Sequence, residues 1–147
     1  TIENYKFSTF AGYDESGEPY YTCRFIGNDI STSSYDVAHV KWGYGARMPR
    51  IAEIQELLNK CSWVVNAYKG VKGMTVTGQN GNSIFLPAGG YRSGTSVSYV
   101  GSDGRYWSSS LYESTPSYAC SLYFNSGDVD WDSYTRDFGR TVRAVCP

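Results

Sequence analysis

At 147 residues the chain has the length of one domain, and at that size folding buries about 68–70% of the surface that the unfolded chain exposes, so a core can form without metals or cross-links. Hydrophobic residues make up 41% and charged residues 18%, with 14 Tyr and 16 Gly, a balance that favours strands, turns and aromatic surface over long helices. The formal net charge of −1 and the lack of any Lys/Arg run exclude the electrostatic footprint of a nucleic-acid or anionic-membrane binder.

In chain order, residues 1–35 alternate aromatic and polar side chains around turn signals (YKFSTF, DESGEP, YYTCRF) and read as two short strands joined by a Gly/Pro turn. DVAHVKW, holding His39, reads as a strand or strand-like loop. From Pro49 the period changes. Ile51, Ile54, Leu57, Leu58 and Cys61 recur at three- and four-residue spacing, which predicts the main helix from Arg50 to Lys60. Asn80-Gly81 then predicts a hairpin that pairs Thr75–Thr77 with Ser83–Leu86. Short segments separated by Gly or Ser follow, ending in a strand that returns VRAVCP to the core. No run of about 18 apolar residues occurs and TIENYKF is polar, so neither a membrane span nor a leader is expected, any export signal having been removed.

The candidate sites are weighed against blander uses of the same residues. Asp128, Asp130 and Asp132 alternate in DVDWD, but a calcium loop counted from Asp128 needs Gly and Glu where Ser133 and Gly139 stand. They are expected to form an exposed acidic stripe, and no metal or cofactor is expected. His39 is the lone histidine and Ser108–Ser110 lack a nucleophile elbow, so no catalytic triad is expected. Cys23, Cys61, Cys120 and Cys146 contain no C-x-x-C pair. They are structural disulfides, for which three pairings are open, or buried thiols. Residues 111–138 differ in kind. Tyr112, Tyr118, Tyr123, Tyr134 and Phe138 stand among Ser and Asp, which is the chemistry of an antibody-like binding surface and predicts that these rings are accessible on one face.

The segments DVAHVKWGYGARMPRIAEIQELLNKCSW, NGNSIFLPAGGYR, GRYWSSS and LYFNSGDVDWDSYTRDFGRTVRAVCP together resemble the Fibrobacter succinogenes major paralogous domain, common in exported proteins of gut Bacteroidetes. The resemblance covers about residues 36–147 and implies a C-type-lectin-like fold, shared with the formylglycine-generating enzyme. It extends to the variable proteins of diversity-generating retroelements. Their mutagenised AAC or AAT codons yield Tyr, Ser, Asp, Phe or Thr, never Trp, Glu, Lys, Met or Gln. At the corresponding positions this chain has Tyr112, Ser114, Ser117, Tyr118, Ser121, Tyr123, Asp128, Asp130, Asp132, Ser133, Tyr134, Thr135, Asp137 and Phe138, all reachable. Glu113 and Trp131, which are not, fall with Leu122, Phe124, Gly127, Val129, Arg136, Gly139, Val142 and Arg143 at expected scaffold positions. The chain departs from the pattern at Ala46 and Arg50, where the family has Trp and Thr, so the usual helix N-cap hydroxyl is missing. It also lacks paired cysteines at a spacing that would carry over the enzymes' copper site.

The expectation is therefore a single α+β, C-type-lectin-like domain over 1–147. It has small twisted antiparallel sheets, one main helix near 50–60, long Gly-rich loops, a poorly matched part at 1–35 and a variable binding region at 111–138. Its function is expected to be non-enzymatic binding of a protein or glycan ligand, as a receptor or adhesin. It would be secreted, or exposed on a cell or a phage particle, with no nucleic-acid partner and no membrane insertion. A carbohydrate-binding lectin is the alternative, and a formylglycine-generating type of enzyme the remoter one.

Overall fold

The structure, a computed structural model, describes residues 2–146. It corrects the expected fold class. The chain is 43% strand and 13% helix, arranged as four small antiparallel sheets. This overturns the α+β, C-type-lectin-like expectation. Its physical cause lies in the pattern beyond Cys61, where apolar residues recur with a period of two between closely spaced glycines, a rhythm that builds short strands and hairpins.

A short helical turn, Ile2–Asn4, leads into the hairpin of β1 (Ser8–Tyr13) and β2 (Pro19–Cys23), as the first segments predict. The segment around His39 is instead a helix, α1 (Val37–Trp42). The buried carboxylate of Asp36 caps it, accepting from the backbone N–H of Ala38 and His39 at 3.0 and 3.1 Å, and it also ties down the N–H of Met48. Helix α2 (Ile51–Lys60) runs where periodicity puts it. Its absent cap hydroxyl comes from another element: Ser110 Oγ accepts from the Ile51 N–H at 3.0 Å, while Glu53 accepts from the Arg50 N–H at 2.8 Å.

Three strands follow as one sheet, β3 (Ser62–Tyr68), β4 (Val71–Thr77) and β5 (Ser83–Pro87). Thr75 opposes Phe85 and Thr77 opposes Ser83, the expected pairing. The two-residue turn lies elsewhere, at Lys69-Gly70. Both residues have positive φ (49° and 81°), the twist that suits a tight hairpin, whereas Asn80-Gly81 sits inside the longer loop 78–82. A small hairpin of β6 (Tyr91–Ser93) and β7 (Ser96–Ser98) precedes the second three-stranded sheet, β8 (Gly104–Leu111), β9 (Tyr118–Phe124) and β10 (Val129–Thr135), with β9 in the middle.

Residues directly opposed across an antiparallel pair point to the same side, so the register sorts the faces of this sheet. Tyr106, Leu122 and Trp131 share one side. Arg105, Tyr123 and Asp130 share the other, as do Trp107, Ser121 and Asp132. The first side meets α2 and β4–β5 in the main core of Ile54, Met74, Val76, Leu86, Tyr106, Leu122 and Phe124. Gly104 is required there, because a Cβ would sit 2.0 Å from the Phe124 ring. A second cluster joins Ile30, Ala38 and Met48 to Trp107 and Val142. Among the described residues of VRAVCP the expected strand does not form. Residues 141–145 are held by isolated bridges, Thr141 to Tyr106 and Val145 to Arg47. The four cysteines stand as free thiols, and among the described residues no helix is long and apolar enough to cross a membrane.

Candidate functional site

The side of the β8–β10 sheet turned away from α2 carries two arginine stacks. Arg105, on β8, lies between Tyr91 and Tyr123 with its guanidinium 4.9 and 4.8 Å from the ring centroids. Arg140, just beyond β10, lies between Trp107 and Tyr134 at 4.6 and 4.8 Å. The attraction of a cation to a ring face strengthens where water is excluded, and the Arg140 side chain is only 1% exposed, a burial that itself disfavours the charge and lowers the pKa of this guanidinium. Acids hold both in place: Arg105 pairs with Asp103 at 3.0 Å and Arg140 with Asp132 at 2.8 Å. Ser121 Oγ donates to Asp132 and accepts from Arg140, which closes the network.

Above this charged floor the aromatic rings join. Tyr134 meets Phe138 edge-on at 4.7 Å, Phe138 meets Tyr91 at 5.6 Å, and Tyr91 stacks on Tyr99 at 5.8 Å. Between them opens a hollow of 420 Å³, to which Asp103, Arg105, Asn125 and Arg140 also contribute. Its walls combine aromatic faces with phenol, amide and charged groups, so it can take apolar contact and directed hydrogen bonds at once.

The residues singled out by sequence divide between the two sides of the sheet. Tyr123, Tyr134 and Phe138 line the hollow. Asp130 shares their side and is exposed. Asp132 and Ser121 belong to the floor, and Ser121 is completely buried, so it supports the face from beneath. Tyr118, Thr135 and Ser133 occupy the opposite side by register. Exposed Tyr112 and Ser114 border a separate 490 Å³ hollow with Cys120 and Trp131. Ser117 and Asp137 are half-buried in the turns before β9 and after β10, and Asp128 is exposed in the β9–β10 turn, where its N–H donates to the Asn125 side chain.

The five aromatics do not share one face, because Tyr112 and Tyr118 lie apart from the other three and only Tyr112 and Tyr134 are exposed. Nor do the three aspartates make one exposed stripe, since Asp132 is half-buried against Arg140. Sequence reasoning missed Arg105, Arg140, Tyr91 and Tyr99. The one signal available for the arginines is an isolated cation flanked by aromatic residues, in GRYW and in DFGR. Ser108, weighed as a nucleophile, donates to the Cys120 carbonyl at 2.8 Å.

The family model described as a domain of unknown function, DUF8237, matches residues 48–145, the span that contains both three-stranded sheets and all of this face. No curated protein and no solved structure matches the chain.

Proposed function

The chain belongs to the DUF8237 family, and we propose that it is a non-catalytic ligand-binding domain that holds a protein or glycan of a cell or phage surface against the tyrosine and arginine face of the β8–β10 sheet. The observation that carries this reading is the convergence of Tyr123, Tyr134 and Phe138 with Tyr91 and Tyr99 around one polar hollow over two clamped arginines. Tyrosine brings large contact area at low rotamer cost. Here the rings are further restrained by the cations beneath them, which reduces the ordering that binding would have to impose. A glycan is favoured by one feature, the tyrosine rings and phenols around the hollow, whose faces suit sugar C–H edges and whose hydroxyls suit sugar hydroxyls.

Retroelement-driven variation belongs to this proposal in a narrower form. Positions such as Asp128 and Asp130 are exposed and free to change, whereas Ser121, Asp132 and Tyr134 are tied to Arg140. A reverse transcriptase gene beside the coding region, with an adenine-rich near-copy of its 3′ end, is the expected companion, and a neighbourhood with neither would remove this part of the reading.

The binding test compares the wild-type chain with Tyr134→Ala/Phe138→Ala on a glycan array and against a displayed library of bacterial and phage surface proteins. A binder captured by the wild type and lost by the folded variant is expected. Binders that treat the two alike would move recognition off this face.

A further inference from the structure

A further hollow opens on the other side of the sheet, between α2, the β4–β5 loop and residues 143–145. Its volume is 620 Å³, within the range of small-molecule sites. Ile54, Leu57, Ile84, Leu86, Tyr106 and Leu122 give it an apolar lining. The one hydroxyl in that floor is already used, since Tyr106 donates to the Pro87 carbonyl at 2.7 Å.

The charges around this groove do not cancel in place. Glu53 is held by Arg47 at 2.6 Å, and Glu56 by Lys60 at 2.8 Å. Arg143 also lines the groove, is exposed, and has no ion-pair partner among the described residues. It lies close enough to act electrostatically on the Tyr106 phenol, so an unmatched cation stands beside an apolar trough. A purely apolar guest would fill the trough and leave the guanidinium unused. A small inorganic anion would meet the guanidinium and leave the trough empty. An alkyl chain ending in a carboxylate uses both, because guanidinium and carboxylate match in a two-pronged hydrogen bond.

We propose that this groove is a binding site for medium-chain aliphatic carboxylates, with the chain between α2 and β5 and the carboxylate on Arg143. The site is independent of the tyrosine and arginine face.

Calorimetric titration of the intact chain with hexanoate, octanoate and decanoate below their micelle concentrations, and with 1-octanol, tests it. Affinity should rise about fourfold per added methylene, the increment expected for burying each one. Octanoate should bind at least about tenfold tighter than octanol, the lower end of what one charge-assisted hydrogen bond contributes. Arg143→Gln, a change at an exposed position, should erase that preference and keep octanol binding. Amide NMR shifts on adding decanoate should concentrate at Leu57, Ile84 and Val145. No saturable binding by the folded chain would overturn the proposal, as would binding indifferent to chain length or to Arg143→Gln. Shifts centred elsewhere would overturn it too, as would a concentration-dependent dimer that covers the same amides without ligand.

Discussion

Arg140 contacts four of the side chains that build the candidate face, Trp107, Ser121, Asp132 and Tyr134. Arg140→Ala would strip Asp132 of its nearest cation and two rings of the cation they stack on. Because Asp132 keeps 31% exposure, the cost belongs below the full range for a buried pair, at about 2–3 kcal/mol in denaturant unfolding. Arg140→Lys should recover little, since an ammonium lacks the planar fork; wild-type stability in either variant would remove Arg140 from the framework. Glu53 supplies a pH test. The Arg47 guanidinium, with the Arg50 N–H, holds its carboxyl below the ordinary value of 4.5, so the ion pair contributes fully above that pH and is lost as pH falls through the lower folded value. The melting temperature should drop below pH 4.5 more steeply in the wild type than in Glu53→Gln, and parallel profiles would contradict this. Tyr123, Tyr134 and Phe138 were legible in sequence because residue type alone suggests their use. Arg105 and Arg140 were not, since a charged residue reads as solvated surface until the strand and loop that cover it are brought together. Ser121 misled for a related reason: alternation with Leu122 points it away from the main core, and Arg140 then covers it.

Local elements were readable where the signal is local. The apolar spacing of α2 and the pairing of β4 with β5 need only a few consecutive residues, and both stand as expected. The tight turn was misplaced because Asn-Gly outranks Lys-Gly as a hairpin signal, yet Tyr68 directly opposes Val71 and leaves Lys69-Gly70 to close the hairpin. Helix α1 was missed although Asp36 stands at the cap position, because six residues give too short a period to recognise. The cap of α2 shows what sequence cannot contain, since Ser110 lies 59 residues from Ile51. Ser110→Ala should cost about 1 kcal/mol, as loss of a local N-cap does, with Glu53 still bonded to the Arg50 N–H. Equilibrium denaturation within about 0.3 kcal/mol of wild type would mean that the distant hydroxyl does not act as a cap. How the two three-stranded sheets meet α2 is decided by long-range contacts between β8, β9 and β4–β5, which no local pattern contains, and the expected α+β class gave way to a mostly β one.

At the scale of the molecule the β8–β10 sheet is a partition, with the main core on one side and the arginine stacks on the other, and its two populations of residues should tolerate change very differently. Tyr112, Ser114, Asp128 and Asp130 are exposed, and surface substitutions usually cost within about ±0.5 kcal/mol each. Tyr112 and Ser114 border one hollow while Asp128 and Asp130 lie at the opposite end of the β9–β10 ladder, so the effects of the two pairs should nearly add. The quadruple alanine variant is therefore expected to unfold within about 1–2 kcal/mol of the wild type. Ser121→Tyr uses a residue type that the same mutagenised codons reach, but it inserts a phenol into a fully buried position between Asp132 and Arg140. Overpacking costs about 1–3 kcal/mol and breaking a buried charge pair adds to it, so this single change should destabilise more than the four surface changes together. A library randomised at all fourteen sequence-predicted positions and sorted for folded protein extends the comparison to every site. Survivors should keep Ser121 and Asp132 nearly unchanged and vary freely at Asp128 and Asp130. Equal variation at Ser121 and Asp128 would show that the floor of the face is not fixed, and the division between framework and recognition residues would fall with it.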